Sequence, residues 1–269
     1  MSIKGIIFTN PLQLFVGFHR LTVKIQIIKG MKKGYLLLGM ALLAAVFSSC
    51  DFYIRKSSSK GQRVKVLNKD VVVQPFEKVQ IAGSFDVTYR QGDSCTVRIE
   101  APQDAMKEID IYTDGETLYI GPKRKNLLFS LKSLNRHHKV YVYATSPDLT
   151  SAEIAGSGEF DVNGHLDTDR LELSIAGSAD MKLEDLICDE LDATIAGSGD
   201  IKIKKMVAGK AEFSIAGSGD IEAKDIDCGE LSTSIAGSGD MKFGGRVKKY
   251  EESIAGSGKV EKSGLIIGK

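Results

Sequence analysis

Residues 195–214 read IAGSGDIKIKKMVAGKAEFS, and this stretch decides the fold. Its opening tetrapeptide, Ile-Ala-Gly-Ser, begins at Ile154, Ile175, Ile195, Ile215, Ile235 and Ile254, so the steps are 21, 20, 20, 20 and 19 residues. A period that regular means one supersecondary unit stacked on itself, because a single unit cannot bury its apolar face. Within the unit, apolar residues fall at every second position. Ile195, Ile201 and Ile203 share one parity, and Met206 and Ala208 restart the alternation after Lys204 and Lys205. Upstream the same pattern runs through Leu171, Leu173 and Ile175, and through Leu191, Ala193 and Ile195. That is the period of a strand, whose side chains alternate between two faces, and not of a helix.

Turn residues punctuate the strands. Gly-Ser-Gly marks one corner; Asn163-Gly164, Glu184-Asp185, Lys204-Lys205 and Gly244-Gly245 mark a second; a third falls near Asp189, Gly209 and Gly229. The tetrapeptide glycines Gly156, Gly177, Gly197, Gly217, Gly237 and Gly256 are candidate structural turn residues, since an absent Cβ permits positive φ or close packing. About 20 residues at roughly 3.3 Å each, bent at three corners, make one coil of a parallel β-solenoid with coils about 4.8 Å apart. The chain therefore reads as all-β, with about three short strands per coil. No proline follows Pro147, as strands bonded on both sides require. The core should be columns of like residues, Ile on Ile at the motif and Met181, Ile201, Ile221, Met241 and Val260 beside it. The last coil, from Ile254, is too short for three strands, so an unpaired edge is expected there, blunted by charge or covered by a partner.

Composition bounds the function classes. The chain has 269 residues, a formal charge of +1 and 26% charged residues, which gives no global pull toward nucleic acid. It has no Trp and 7% aromatics, a scarcity that counts against a glycan-cleaving reading, since sugars stack on aromatic rings. Besides Cys50 the cysteines are Cys95, Cys188 and Cys228. The last two hold one position in alternate coils, so their Cα atoms should lie about 9–10 Å apart, beyond the ~7 Å reach of a disulfide. They read as buried small hydrophobes.

The front of the chain carries a targeting signal. Met31-Lys32-Lys33, then GYLLLGMALLAAVF, then Ser48-Ser49-Cys50 form a basic region, an apolar run and a small-residue cleavage site. This looks like a bacterial lipoprotein signal over residues 31–49, with Cys50 as the lipidated first residue and Phe47 where Leu is usual. An uncleaved membrane anchor is the alternative, for which the apolar run is short. Residues 1–30 do not belong in such a signal, which makes Met31 the expected start. Residues 50–63 are a polar, Ser/Lys-rich tether. Residues 64–150 read as strands in which Phe85, Val87 and Tyr89, and later Val140, Val142 and Ala144, alternate. Ile81-Ala82-Gly83-Ser84 repeats the motif here, so this region reads as first coils elaborated by hairpins, with a separate β domain as the alternative. Residues 151–269 are the regular solenoid.

The combination of that signal with FEKVQIAGSFDVTYRQGDSCTVRIEAP (76–102), LYIG (118–121), LTSAEIAGSGEF (149–160) and the train of IAGSGDI units resembles a known family. It is the putative auto-transporter adhesin family, head GIN domain, and the likeness spans roughly residues 75–260. The resemblance implies a right-handed β-helix-like fold and a place in the envelope of a Gram-negative bacterium. It supplies no catalytic residues.

Two groups of side chains are candidate sites. Asp180, Asp200, Asp220 and Asp240 form a column, headed by Glu159 and ended by Lys259, in which stacked carboxylates would raise one another's pKa unless relieved. Ca²⁺, with its six to eight oxygen ligands, is one relief; backbone N–H donors, serines and the lysines two residues on are the other, with Asp closing the turn. The second group is Lys123, Arg124, Lys125 and Arg136, within a stretch that also holds Lys132, His137, His138 and Lys139 and no acid. Interleaved with Leu127, Leu128, Phe129, Leu131 and Leu134, it could meet an anionic glycan or lipid headgroup, or be an exposed hairpin whose apolar residues cap the solenoid. His137-His138 does not suggest a metal site, because strand neighbours point to opposite faces.

Catalysis finds little support, since a nucleophile or acid pair would not be copied into every coil and chemistry needs one asymmetric site. The reading is a non-enzymatic, lipid-anchored envelope protein without a cofactor, presenting a rigid repeated surface for binding or adhesion. Its partners would be the membrane through Cys50 and a glycan or a host or bacterial surface protein, with self-association open. A polysaccharide-processing β-helical enzyme and a calcium-stiffened spacer are the alternatives.

Overall fold

The computed structural model describes residues 66–123 and 139–268. The signal segment, Cys50, the tether, Arg124, Lys125 and Arg136 lie outside the described residues. Apart from one 3-10 turn at Ala105–Lys107 the elements are strands: β1 (Val66–Val71), β2 (Lys78–Gly83), β3 (Asp86–Gln91), β4 (Thr96–Pro102), β5 (Ile109–Asp114), β6 (Thr117–Pro122), β7 (Tyr141–Ser146) and β8 (Ser151–Gly156). The regular coils are β9 (Glu159–Gly177), β10 (Asp180–Gly197), β11 (Asp200–Gly217), β12 (Asp220–Gly237), β13 (Asp240–Gly256) and β14 (Lys259–Ile267). Successive coils pair in parallel, and the register is the sequence period: Asp180↔Asp200, Met181↔Ile201 and Ile195↔Ile215, then Asp200↔Asp220 and Ile215↔Ile235. The fold is a β-solenoid of about six turns with about 20 residues per coil.

The strands are longer than the period suggests. Each coil was expected to hold three short strands, yet Asp180–Gly197 is one strand of 18 residues. The corners are where expected, since pairing between β10 and β11 skips Glu184/Lys204 and Asp189/Gly209. They do not end the strand because the neighbouring coils bend at the same places, identically in β11 and with a one-residue bulge in β9, so the hydrogen-bond ladder follows the chain around. Even the Gly-Ser-Gly corner is laddered: the Ser198, Ser218 and Ser238 amides each donate to the tetrapeptide glycine carbonyl one coil back at 2.8 Å.

Alternation becomes burial. Met181, Leu183, Leu186, Cys188, Leu191, Ala193 and Ile195 point inward and are buried, as are their counterparts in β11 and β12. Burying each aliphatic side chain contributes about 1.5–3 kcal/mol, so the stacked columns rather than any one coil hold the chain together. Cys188 and Cys228 are free and buried, with Ala208 between them in the column. The outer edge of β14 has no partner strand among the described residues.

The N-terminal part joins the stack out of chain order. β2 continues the motif column, with Ile81↔Ile154 and Gly83↔Gly156, and β3 lies against β9. On their other side sit the later strands β6 and β7, parallel to β2 and β3 respectively. The chain leaves the β2–β3 coil, builds the next layer away from the regular coils and returns at β8. Antiparallel strands close that layer: β4 on β7, β1 on β4, and β5 on β6.

Candidate functional site

The Asp column is built by the Gly-Ser-Gly corner, which delivers each Asp to the start of its strand facing outward. Its carboxylates do not stand idle. Asp180 Oδ1 accepts the Asp200 amide at 3.3 Å, Asp200 Oδ1 the Asp220 amide at 3.3 Å, and Asp220 Oδ1 the Asp240 amide at 2.9 Å. Asp240 Oδ1 accepts the Lys259 amide at 3.1 Å. Each Asp thus ties its own corner to the amide of the next coil. The neighbouring lysines add charge pairs, Lys202 Nζ to Asp200 at 3.1 Å and Lys259 Nζ to Asp240 at 3.6 Å, while Lys182 pairs with Glu159. Among the described residues no group of three or more His, Cys, Asp or Glu is placed to hold a metal ion.

Other charges on the coil exterior also pair across coils. Arg170 meets Glu190 at 2.7 Å, Lys205 meets Asp185 at 3.5 Å and Lys242 meets Glu261 at 3.7 Å, each pair joining adjacent coils. Exposed pairs of this kind contribute about 0–1 kcal/mol each, so they keep the surface soluble and in register more than they stabilise it. Two carboxyls stand apart. Burial pushes the Asp192 carboxyl above its ordinary range, and Glu212 and Glu172, its neighbours in the column, push it further. Burial likewise raises Asp161, helped by Asp86, Asp180 and Glu184, and its Oδ1 is buried with no hydrogen-bond partner.

The surface changes character on β7. Val140, Val142 and Ala144 are buried, so Tyr141 and Tyr143 project outward, 39% and 41% exposed. Two residues along one strand, they stand about 7 Å apart. Tyr141 is flanked across the sheet by Glu100 and Asp86, and Tyr143 by Arg98 and Thr88. Lys139 holds Asp86 at 3.2 Å and lies 5.9 Å from the Tyr141 ring centre, and Arg98 holds Asp70 at 3.2 Å. Sequence reasoning missed this pair, although the alternation it recognised in Val140, Val142 and Ala144 places both tyrosines outside. Of the basic stretch, Lys123 is an exposed residue at the end of β6, where its amide donates to the Glu108 carbonyl at 2.8 Å. Lys123 and the Asp column lie in different parts of the fold and form no common site.

These features sit in a recognised family: the chain belongs to the one described as putative auto-transporter adhesin, head GIN domain, whose model matches residues 75–265. Among solved structures it is similar to a "putative adhesin" from Bacteroides fragilis, with 21% identity over 75% of this chain and 97% of that one and a TM-score of 0.56. It is similar to a "putative lipid binding protein" from Parabacteroides distasonis, with 20% identity, coverage of 75% and 96%, and a TM-score of 0.54. A "putative adhesin" from Parabacteroides merdae follows with 21% identity, coverage of 75% and 96%, and a TM-score of 0.51. At these identities the likeness is one of fold. No curated protein matches the chain.

Proposed function

We propose that this protein is a non-enzymatic envelope lipoprotein, anchored through Cys50 in the outer membrane, that binds a surface glycan with the Tyr141/Tyr143 face of its solenoid. The observation that carries this reading is the contrast between two surfaces. The regular coils expose paired charge, backbone-bonded Asp and scattered aliphatics such as the neighbours Ile187 and Val207, whereas β7 exposes two aromatic rings beside polar groups of both signs. Aromatic rings offer apolar faces at low entropic cost, and together with Arg they dominate binding hot spots. Arg98, Lys139, Glu100 and Asp86 would supply donors and acceptors to sugar hydroxyls around them. The family description and the adhesin descriptions of the similar structures agree with a surface-binding role.

The test is binding of the purified full chain to an array of bacterial and host glycans, with cleavage products monitored in parallel. The wild type should bind saturably without turnover, and Tyr141→Ala/Tyr143→Ala should bind about 30-fold more weakly or worse, the effect of losing one hot spot of ~2 kcal/mol. Equal binding by the double variant overturns the site, and cleavage overturns the non-enzymatic reading. For the anchor, palmitate incorporation in cells should be lost in Cys50→Ala.

A further inference from the structure

The far end of the stack, beyond the β2–β3 coil, holds a cavity of about 190 Å³ lined by Lys69, Val71, Ile99, Met106, Ile109, Asp110, Ile111 and Lys123. It lies where the antiparallel strands β1/β4 and β5/β6 form two walls and the 3-10 turn at Ala105–Lys107 runs between β4 and β5. Five of its lining residues are apolar, and the three polar ones are two lysines and one aspartate. Through β10–β12 the inward parity carries apolar side chains except at Thr233. Here it carries Lys69, which stands opposite buried Ile99 on the core-facing side of β1, next to the pair Val71 and Val97. Lys123 reaches the same cavity from the end of β6, where the Glu108 carbonyl fixes its backbone.

We propose that this cavity binds the end of an acyl chain carrying an anionic headgroup, with the methylenes against Ile99, Ile109, Ile111 and Met106 and the headgroup between Lys69 and Lys123. Charge complementarity selects the sign: two ammonium groups outnumber the single Asp110 carboxylate, and a cationic amphiphile would meet repulsion. Volume limits the chain. At about 30 Å³ per water-sized group the cavity takes roughly six such groups, so it seats a short acid or the first segment of a longer one. The opposing account of Lys69 is that an inward-pointing charge on an edge strand discourages edge-to-edge pairing. That account needs a charge of either sign at Lys69 and makes no use of Lys123.

The site is independent of the tyrosine face, so the two can fail separately. The experiment is photolabelling of the full chain in nanodiscs with octanoate bearing a terminal diazirine, followed by mass-spectrometric localisation. Label should map to Met106 and Ile109–Ile111. It should be displaced by unlabelled fatty acids and not by octylammonium. Competition should strengthen about four-fold per added methylene and level off once the cavity is full, at roughly six to eight carbons. Lys69→Glu with Lys123→Glu, which keeps an inward charge on the edge strand, should abolish the label. Ile111→Phe, which fills the cavity and keeps both lysines, should also abolish it. Labelling spread over the surface, persistence in Lys69→Glu/Lys123→Glu, or equal displacement by octylammonium would each overturn the proposal.

Discussion

Replacing Gly217 by Ala tests the solenoid corner against an internal control. Gly217 has φ +145°, and a Cβ there would lie 2.1 Å from the carbonyl oxygen of Gly197 in the coil behind it. Positive φ costs a residue with a Cβ roughly 1–3 kcal/mol, and forcing an extra methyl into a packed contact costs about 1–3 kcal/mol more. The contacting atom is backbone and belongs to the ladder, so it cannot turn aside as a side chain would. A total near 4 kcal/mol, at about 2–4 °C per kcal/mol for a protein of this size, lowers the melting midpoint by roughly 8–16 °C.

Gly219, two residues on, is equally crowded, with Gly199 O 2.1 Å from its would-be Cβ, but its φ is not in the positive range. The same column also shows that a methyl can be accepted. Ala179 occupies it one coil before Gly199, is fully buried, and its carbonyl still accepts the Asp200 amide at 3.1 Å. Gly219→Ala should therefore cost only the crowding, about 1–3 kcal/mol, or roughly 2–12 °C. Circular dichroism melts of the wild type and the two variants at one concentration decide it. A Gly217→Ala protein that melts with the wild type, or a Gly219→Ala protein that melts below Gly217→Ala, would refute the reasoning.

The Asp column yields a second prediction. Asp220→Ala removes the acceptor of the Asp240 amide and should cost about 1 kcal/mol, seen as roughly 2–4 °C in the melt, whereas Asp220→Asn, which keeps a carbonyl acceptor, should cost less. Because one oxygen of each carboxylate already accepts an amide, millimolar calcium should leave the wild-type midpoint unchanged, and a calcium-dependent rise would support the spacer reading. Asp192 gives a pH dependence. Its folded pKa is raised above the ordinary 3.8, first by burial and then by Glu212 and Glu172. The protonated form is therefore favoured in the folded state, and the stability this contributes is present below pH ~4 and lost as pH rises through the folded value. Asp192→Asn should accordingly melt higher than the wild type at pH 7 and match it at pH 3, and an equal difference at both pH values would count against the assignment.

The parts of the fold that local pattern could reveal are those in which a residue's neighbour is its own counterpart one period away. Ile195 stacks on Ile215 because both occupy the same phase, and no long-range information is needed to see it. The insertion of β6 and β7 beneath β2 and β3 is different. It depends on which edge of the first coil is free when the chain returns, and no periodicity in residues 86–146 encodes that. Strand lengths were misjudged for a related reason: a bend reads as a turn in one sequence, and only the matching bends of both neighbours, with a one-residue bulge on the β9 side, let pairing resume past Glu184 and Asp189. At the candidate site, the composition of the Asp column was legible. The amide that each Asp accepts could not be read there, because it depends on where the corner puts the next N–H.

Repetition also bears on where function can lie. Residues in one column share nearly the same neighbours, so Asp200 and Asp220 both accept an amide and neither can be tuned away from the other. A site that discriminates needs side chains whose surroundings differ. Such surroundings occur where the period fails, on β1–β7, with their antiparallel pairings, the Tyr141/Tyr143 pair and the cavity carrying Lys69 on a core-facing parity. On the proposed reading the regular coils would act as a stiff rod and the irregular end as the head that meets a partner. Lengthening the rod by one 20-residue unit, by duplicating residues 200–219, should leave glycan binding and acyl labelling unchanged. If either activity fell with the added coil, binding would belong to the repeated surface and this division of labour would be wrong.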